Sequence, residues 1–538
     1  MKSKLLLFSI IAVGLILRVL FINSSPPALY GDELTITLDI YSILKTGHDQ
    51  LGNFLPLTFN MSAGRPAGYV YGSIPFVAIF GPTAIGVKAL SILSGLGIIV
   101  LLYLLGTKLF SEKVGLLSAV IGAVSPWEIS LSRVGFETHF ALFLALFGIY
   151  LFILARQKAI LYIFSAFCFG LTVHTYLTYK VAILLFLPLI LWYQNGFIKL
   201  SQKNKKYFLS GIVVFAILVS LSFSQTFLAG SENRFFNINI FSQSSIKSKI
   251  VQKINFERQI TKLPESLAKY FHNKPVEYTK VFIENYLQNF SIDFLILHGD
   301  RNPRHNMATM GGIYFVELFL IFIGLVTSWS KGRRKLLFLV FWLLLAPIPT
   351  AIVDSPHALR SAFMLPPLIL LSAIGLAAVF NCKNKLLTGL ILLLFAVQFI
   401  FFIQKLYFLA PKEYSNFWSY SAKLASEIVK NSQNEFTYII LSDRIDNIEF
   451  AYPVYAKIDP SIVINQNKKK TLLSGNKLKR FDNVYIGYIP ETQVEKFIDS
   501  LEGSVLYIGT ASDKRFLTDP ETINGLDGLE ALVLKKRL

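Results

Sequence analysis

The chain has 538 residues, of which 53% are hydrophobic and only 16% charged, with a mean hydropathy of +0.53. A soluble chain carries about 25% charge, so this composition reads as a polytopic α-helical membrane protein. The formal net charge of +19 sits, outside the tail, mostly in short clusters between apolar runs, which argues against nucleic acid as a partner and makes the basic residues signals of topology.

The first apolar run, Leu5 to Ile22, follows Lys2 and Lys4. It is long and lacks a small-residue cleavage pattern, so an uncleaved first helix is expected rather than a signal peptide. Basic clusters return at Lys108 to Lys113, Arg156 to Lys158, Lys199 to Lys206, Lys331 to Lys335 and Lys383 to Lys385. Lysine and arginine in short loops mark the cytoplasmic side, and each cluster lies two crossings from the next. That parity predicts about eleven transmembrane helices: 5–22, 84–106, 114–131, 138–154, 159–173, 181–194, 207–225, 312–329, 336–353, 361–380 and 386–406. Segment 68–82, broken by Gly72, Pro75 and Gly81, is short for a hydrocarbon core about 30 Å thick, and is expected to lie along or dip into the outer face.

Three regions then lie on the far side: a loop near 23–83, a loop near 226–311, and the tail. Residues 1–406 form the membrane module, and 407–538 a small C-terminal extracytoplasmic α/β domain. Its expected strands are FTYIIL at 436–441, NVYIGY at 483–488, SVLYIG at 504–509 and LEALVL at 529–534. The basic stretch from Lys468 to Arg480 reads as a solvated loop. Cys168 and Cys382 are far apart in sequence and suggest neither a disulfide nor a zinc site.

Polar residues test this topology independently. All seven histidines, His48, His139, His174, His272, His298, His305 and His357, fall in outer loops or near outer helix ends. With them go Asp32, Glu33, Arg65, Arg133, Glu137, Lys180, Asp300, Arg301, Arg304, Asp354 and Arg360. Charges at helix ends in a bundle are costly unless paired or functional, so one polar site on the outer face is expected.

Four stretches carry a family resemblance: YGDELTITLDIYSILKTGHDQLGNFLP, GRPAGYVYGSIPFVAIFG, AVSPWEISLSRVGFETHF and PTAIVDSPHALRSAFMLPPLILLSAIGL. The chain resembles C-type membrane glycosyltransferases of the protein-mannosyltransferase-like and aminoarabinose-transferase-like group over roughly residues 1–405. The resemblance implies transfer of a sugar from a polyprenyl-phosphate donor to a protein, lipid or envelope-glycan acceptor on the outer face. The expected location is the bacterial plasma membrane, with a cytoplasmic N-terminus and with the active site and tail extracytoplasmic.

An acceptor hydroxyl attacking the anomeric carbon needs a base. By motif position Asp32 is the candidate, with Glu33 its partner or a ligand, and Gly31 is read as allowing a sharp turn. The competing reading makes Asp32 the cap of a helix starting at Leu34. Arginine forks suit the leaving lipid phosphate, so Arg65, Arg133 and Arg360 lead as donor-phosphate ligands, followed by Arg301, Arg304 and Lys180. Glu137, Asp354, His305 and His357 are orienting or acceptor-side candidates. A divalent metal ion stays open as cofactor, with Glu137, His305 and His357 as candidate ligands. Tyr69, Tyr71, Trp127, Tyr176 and Tyr179 fit either a membrane belt or a sugar groove, and the 299–312 loop is a candidate lid. A lipid or sugar transporter or flippase, a non-catalytic scaffold and a polymer ligase are the alternatives.

Overall fold

The computed structural model describes residues 2–59, 64–194, 201–228, 239–354 and 356–538. Lys199 of the third predicted basic loop and residues 229–238 of the large outer loop therefore lie outside the described residues. The membrane half begins with α1 (Lys2–Val19), α2 (Gly31–Thr46), α3 (Gly68–Phe80), α4 (Ala84–Leu109) and α5 (Glu112–Val124). It continues through α6 (Pro126–Ser132), α7 (Glu137–Leu154), α8 (Leu161–Val173), α9 (Leu177–Tyr193) and α10 (Gln202–Leu228). Further helices at Phe315–Leu345, Leu365–Asn381 and Lys385–Gln404 complete the bundle.

Among the described residues six helices are long and apolar enough to cross a membrane, or seven if α5 and α6, bent by 60°, form one span. Gly68–Phe80, Leu161–Val173, Leu177–Tyr193 and Phe315–Ser330 are apolar but shorter. The continuous helix expected at 114–131 is broken. Ser125 leaves helical geometry and its hydroxyl accepts the Glu128 amide, while Pro126 opens α6, as proline suits a first helical turn. The helices expected at 312–329 and 336–353 form as Phe315–Ser330 and Gly332–Ala351, which meet at a kink where Gly332 leaves helical geometry.

Small residues let these helices approach closely. A Cβ on Gly375 would stand 1.9 Å from the Leu320 carbonyl oxygen, and one on Gly324 2.3 Å from that of Leu371. Basic loops gather at one end of the bundle: Lys113 donates to Asn381 Oδ1 at 2.7 Å, and Lys113 and Lys335 line a common cavity.

In the tail, all four expected strands form, as β3 (Tyr438–Ser442), β6 (Val484–Gly487), β7 (Val505–Thr510) and β9 (Glu530–Arg537). β1 (Thr58–Phe59) and β2 (Arg65–Pro66) pair separately in the first loop. The tail sheet also contains β4 (Thr471–Leu473), β5 (Asn476–Phe481) and β8 (Glu521–Asn524), in the order β4-β5-β6-β3-β7-β9-β8. Its centre is parallel, β3 lying between β6 and β7. The stretch read as a solvated loop at 468–480 is therefore a hairpin. Ser474 and Gly475 turn it with positive φ, and Leu478 and Phe481 bury between its basic residues.

The tail packs on the loop near 23–83. One apolar cluster joins Leu34, Ile36, Leu38 and Ile40 of α2 to Ala422, Ala425, Val429 and Tyr452 of the tail. Leu29 N donates to Tyr455 Oη at 3.0 Å, and Lys423 Nζ donates to the Pro27 carbonyl at 2.9 Å. Gly31, expected to permit a sharp turn, is instead the first helical residue of α2. Its lack of a side chain makes room for the tail, because a Cβ there would lie 2.6 Å from Asn447 Oδ1.

Asp39 lies buried in α2, its Oδ1 accepting both the backbone and side-chain amides of Gln50. Burial pushes its carboxyl pKa up to about 7, despite those hydrogen bonds. A raised carboxylate pKa means that the folded state holds the proton more tightly than the unfolded chain. Stability is therefore expected to fall as pH rises from the ordinary aspartate value of 3.8 through about 7. Asp39→Asn removes the buried charge while keeping an acceptor for Gln50. Thermal unfolding in detergent is expected to find it more stable than the native chain at pH 8, by an upper bound of about 4 kcal/mol, and nearly equal at pH 4. Equal loss of stability at both pH values would contradict this.

Candidate functional site

The first turn of α2, strand β2 and the first residue of α7 converge on one guanidinium. Arg65, only 2% exposed, reaches Asp32 Oδ1 at 2.9 Å and Glu137 Oε1 at 2.7 Å. Its Nη1 also donates to the Thr35 hydroxyl at 3.1 Å. Burial alone would disfavour the charge on Arg65, but Glu137 and Asp32 reverse that and raise its pKa. Both carboxylates occupy first helical turns, where the helix dipole favours negative charge.

This cluster forms one side of a cavity of about 150 Å³. Asp32 is 46% exposed towards it, and Tyr30, Tyr176, His305, His357 and Arg360 join the lining. Leu177, Val181, Pro349 and Val353 supply an apolar flank. His305, His357 and Arg360 also line a second, larger cavity of about 710 Å³, with Arg301, Asp300 and Asp354. The Arg360 Nη1 is buried without a hydrogen-bond partner among the described residues. The 299–312 loop supplies wall residues to both cavities.

Asp32 does not cap α2. That helix begins at Gly31, so Asp32 already lies in its first turn and pairs with Arg65. Glu33 turns the other way: it is fully buried and accepts the Gly135 amide at 2.8 Å, away from the cavity lining. Burial raises its pKa, opposed by Lys88.

Arg133 is also a correction to the sequence reading. Fully buried, it donates to the carbonyls of Leu17 and Arg18 at 3.0 Å and of Ser25 at 2.5 Å, and lies over the Tyr407 ring. It thus holds the end of α1 and lines neither cavity. Lys180 packs over Phe223 and donates to the Ser222 carbonyl. Arg304 donates to the Phe417 carbonyl and covers Tyr30, joining the loop to the tail. Neither lines a cavity with Arg65.

Arg301 and Asp354 line only the larger cavity. Tyr69, Trp127 and Tyr179 are buried in the interior and so form no belt; Trp127 lines a small cavity with Asp300 and His305, and Tyr176 reaches the cavity beside Arg65.

The metal candidates divide. Glu137 is engaged with Arg65, whereas His305 and His357 gather around Asp300. Asp300 Oδ2 accepts the Ala358 amide at 2.8 Å and lies 3.0 Å from His305 Nδ1. Burial alone would raise the Asp300 pKa, but the histidines and the Asn302 amide bring it down to about 2. Burial and the neighbouring His305 push His357 well below the ordinary histidine value.

Sequence reasoning also missed Arg18 and Glu128, which form a buried ion pair joined by His139 at 3.1 Å from Glu128. The apolar stretch around Arg18 concealed a charge whose partner lies in α6.

Residues 69–223 match the family described as dolichyl-phosphate-mannose-protein mannosyltransferase. Comparison with the curated proteins gives no match. The fold is similar to ArnT from Cupriavidus metallidurans in the apo state, with TM-score 0.57 and 11% identity over 99% of this chain and 98% of that one. ArnT bound to undecaprenyl phosphate gives TM-score 0.54 and 12% identity over 98% and 97% of the two chains. The apo oligosaccharyltransferase of Archaeoglobus fulgidus gives 0.50 and 14%, over 84% of this chain and 64% of that one. The chain spans less than two thirds of the archaeal oligosaccharyltransferase chains it matches. The resemblance to C-type membrane glycosyltransferases thus has two supports, a family match over part of the sequence and a fold shared along nearly all of it.

The two leading arginines outside the Asp32 pair are expected to separate in a stability measurement. Arg133→Ala strands carbonyls at the end of α1 and is expected to cost about 3 kcal/mol or more. Arg360→Ala, which breaks no ion pair among the described residues, is expected to stay within about 1 kcal/mol. Thermal unfolding of both variants in the same lipid would check this, and equal losses would count against the assignment.

Proposed function

We propose that this chain, similar in fold and in one sequence stretch to C-type membrane glycosyltransferases, transfers a sugar from a polyprenyl-phosphate donor to an acceptor at the outer face of the membrane. The observation that carries the reading is the half-exposed Asp32 carboxylate, held on buried Arg65 at the edge of a cavity that also contains Arg360. Asp32 takes the proton of the acceptor hydroxyl as its oxygen bonds to the anomeric carbon. The bond from that carbon to the phosphate oxygen breaks at the same time, and the polyprenyl phosphate leaves with the electron pair. A single displacement inverts the anomeric centre.

Arg360 stabilises the charge that grows on the phosphate, because a preorganised cation in a partly enclosed site acts most strongly where charge develops. Arg65 has a different task, since Asp32 and Glu137 already occupy its guanidinium: it fixes the base in place. The apolar flank of Leu177, Val181, Pro349 and Val353 suits the first isoprene units, and the larger polar cavity suits the acceptor. Eleven crossings follow if the bent pair α5 and α6 counts as one span and α1 and the shorter helices Leu161–Val173, Leu177–Tyr193 and Phe315–Ser330 also span. The N-terminus is then cytoplasmic, and the site and tail face outward.

Purified protein in lipid, given a panel of radiolabelled polyprenyl-phosphate sugars and crude envelope acceptors, tests this reading. Native protein is expected to transfer or slowly hydrolyse one donor. Asp32→Asn should lower the rate by about 100- to 10,000-fold, and Arg360→Ala by about 100- to 1,000-fold, with folding intact in each. Absence of donor binding and turnover in the native chain would overturn the proposal.

A further inference from the structure

At the end of the bundle where the basic loops gather, a cavity of about 280 Å³ lies among four segments. It forms where α4 ends (Phe110) and α5 opens (Ser111, Lys113), beside the kink at Gly332 and the last residue of Leu365–Asn381. That last helix begins just beyond Arg360, and its 17 residues put about 25 Å between the Arg360 cavities and this one. It shares no lining residue with either.

Basic residues at this end are expected from topology alone, but topology does not require two of them to share a cavity without an acidic partner. Lys113 donates to Asn381 Oδ1 at 2.7 Å, with its Nζ 5.4 Å from the Phe380 ring centroid. Lys335 Nζ lies 5.8 Å from the centroid of Phe110, and such ring contacts favour a cation that stays beside the protein. No carboxylate lines the cavity, and neither lysine forms an ion pair among the described residues. Like charges facing one space repel unless an anion lies between them. Ser328 is an independent sign. It is only 5% exposed and lines the same cavity, yet its hydroxyl has no hydrogen-bond partner among the described residues. Buried hydroxyls are seldom left so. Water would satisfy the hydroxyl but not the lysine charges, whereas an anion serves both.

We propose that this cavity binds the phosphate group of an anionic membrane phospholipid, held by Lys113 and Lys335 and hydrogen-bonded by Ser328. Lysine meets phosphate as a point charge, and the serine hydroxyl donates to one of its oxygens. The position of the cavity selects a lipid as the carrier of that phosphate. It lies at the ends of apolar helices, at the depth of lipid headgroups, and basic pockets between spanning helices suit such headgroups. Val114, Ile374 and Ala377 add an apolar side to the lining, which suits the glycerol and the first methylenes. A phosphate held in this way ties α5 to the helix that follows the kink at Gly332.

Lipid binding is measured without sugar donor or acceptor, so it stands or falls separately from sugar transfer. Full-length protein in detergent micelles doped with phosphatidylglycerol or phosphatidylcholine is analysed by native mass spectrometry. The native chain is expected to retain one phosphatidylglycerol under conditions that strip phosphatidylcholine, a comparison that needs no variant to fold. Lys113→Gln combined with Lys335→Gln should weaken this binding about 30-fold, and Ser328→Ala about tenfold. Lys383→Gln combined with Lys385→Gln removes the same charge from the same end of the bundle but outside the cavity, and should leave binding unchanged. Equal retention of the two lipids, or equal losses in the two lysine pairs, would overturn the proposal. Displacement of phosphatidylglycerol by millimolar inorganic phosphate would also overturn it, by assigning the cavity to free phosphate.

Discussion

A buried guanidinium cannot stay charged without partners, and the architecture of this end of the bundle follows from how Arg65 obtains them. At 2% exposure it needs two carboxylates, and the chain brings them from separate helices, α2 and α7, while Arg65 itself enters on the short strand β2. Removing one member of such a group leaves a charge uncompensated, which costs about 3–5 kcal/mol. The three segments are therefore tied to one another, and α2, α7 and the strand pair of the first loop occupy one fixed arrangement. Asp32 inherits a fixed position from this constraint while keeping half of its surface open to the cavity.

That constraint acts together with the tail. One apolar cluster joins α2 to the helices of the C-terminal sheet domain and to α3 and α4. Gly31 records how close the approach is, because even a methyl group there would meet Asn447. Arg304 adds a link from the 299–312 loop to Phe417. The loop near 23–83 is thus held between two surfaces, the bundle through Arg65 and the tail through Leu29, Leu34 and Pro27. A helix of 16 residues, marginal in isolation, gains its order from both.

Elements with strong local signals were legible in the sequence. The four central tail strands carry β-branched and aromatic runs, and each formed within a few residues of its expected bounds. Asp32, Arg65, Glu137, His305, His357 and Arg360 were gathered by topology alone, and they do share one cavity. Topology could not tell a charge facing a cavity from one facing a backbone. Arg65 and Arg133 look alike in sequence as arginines near helix ends, yet Arg65 meets carboxylates and Arg133 the carbonyls ending α1. The hairpin at 471–481 escaped because lysines dominate its exposed face, leaving only Leu478 and Phe481 as its buried signal. Asp300 was seen as a charge, but its pairing with His357 depends on a contact between two distant loops.

The adjacent carboxylates at positions 32 and 33 were the strongest local signal, and their separation follows from helix geometry. Neighbours on an α-helix point about 100° apart and cannot serve one small site together. Because the helix begins at Gly31, before the acidic pair, Asp32 faces the cavity and Arg65 while Glu33 faces the interior and the Gly135 amide. Gly135 lies two residues before Glu137 in the turn that opens α7. The carboxylate that works beside Asp32 on Arg65 is therefore not its neighbour in sequence. It is Glu137, and Glu33 holds the turn from which Glu137 emerges. One residue of the pair meets the cavity and the other positions the distant partner, so a charge that looks redundant in sequence has a separate structural task in the fold.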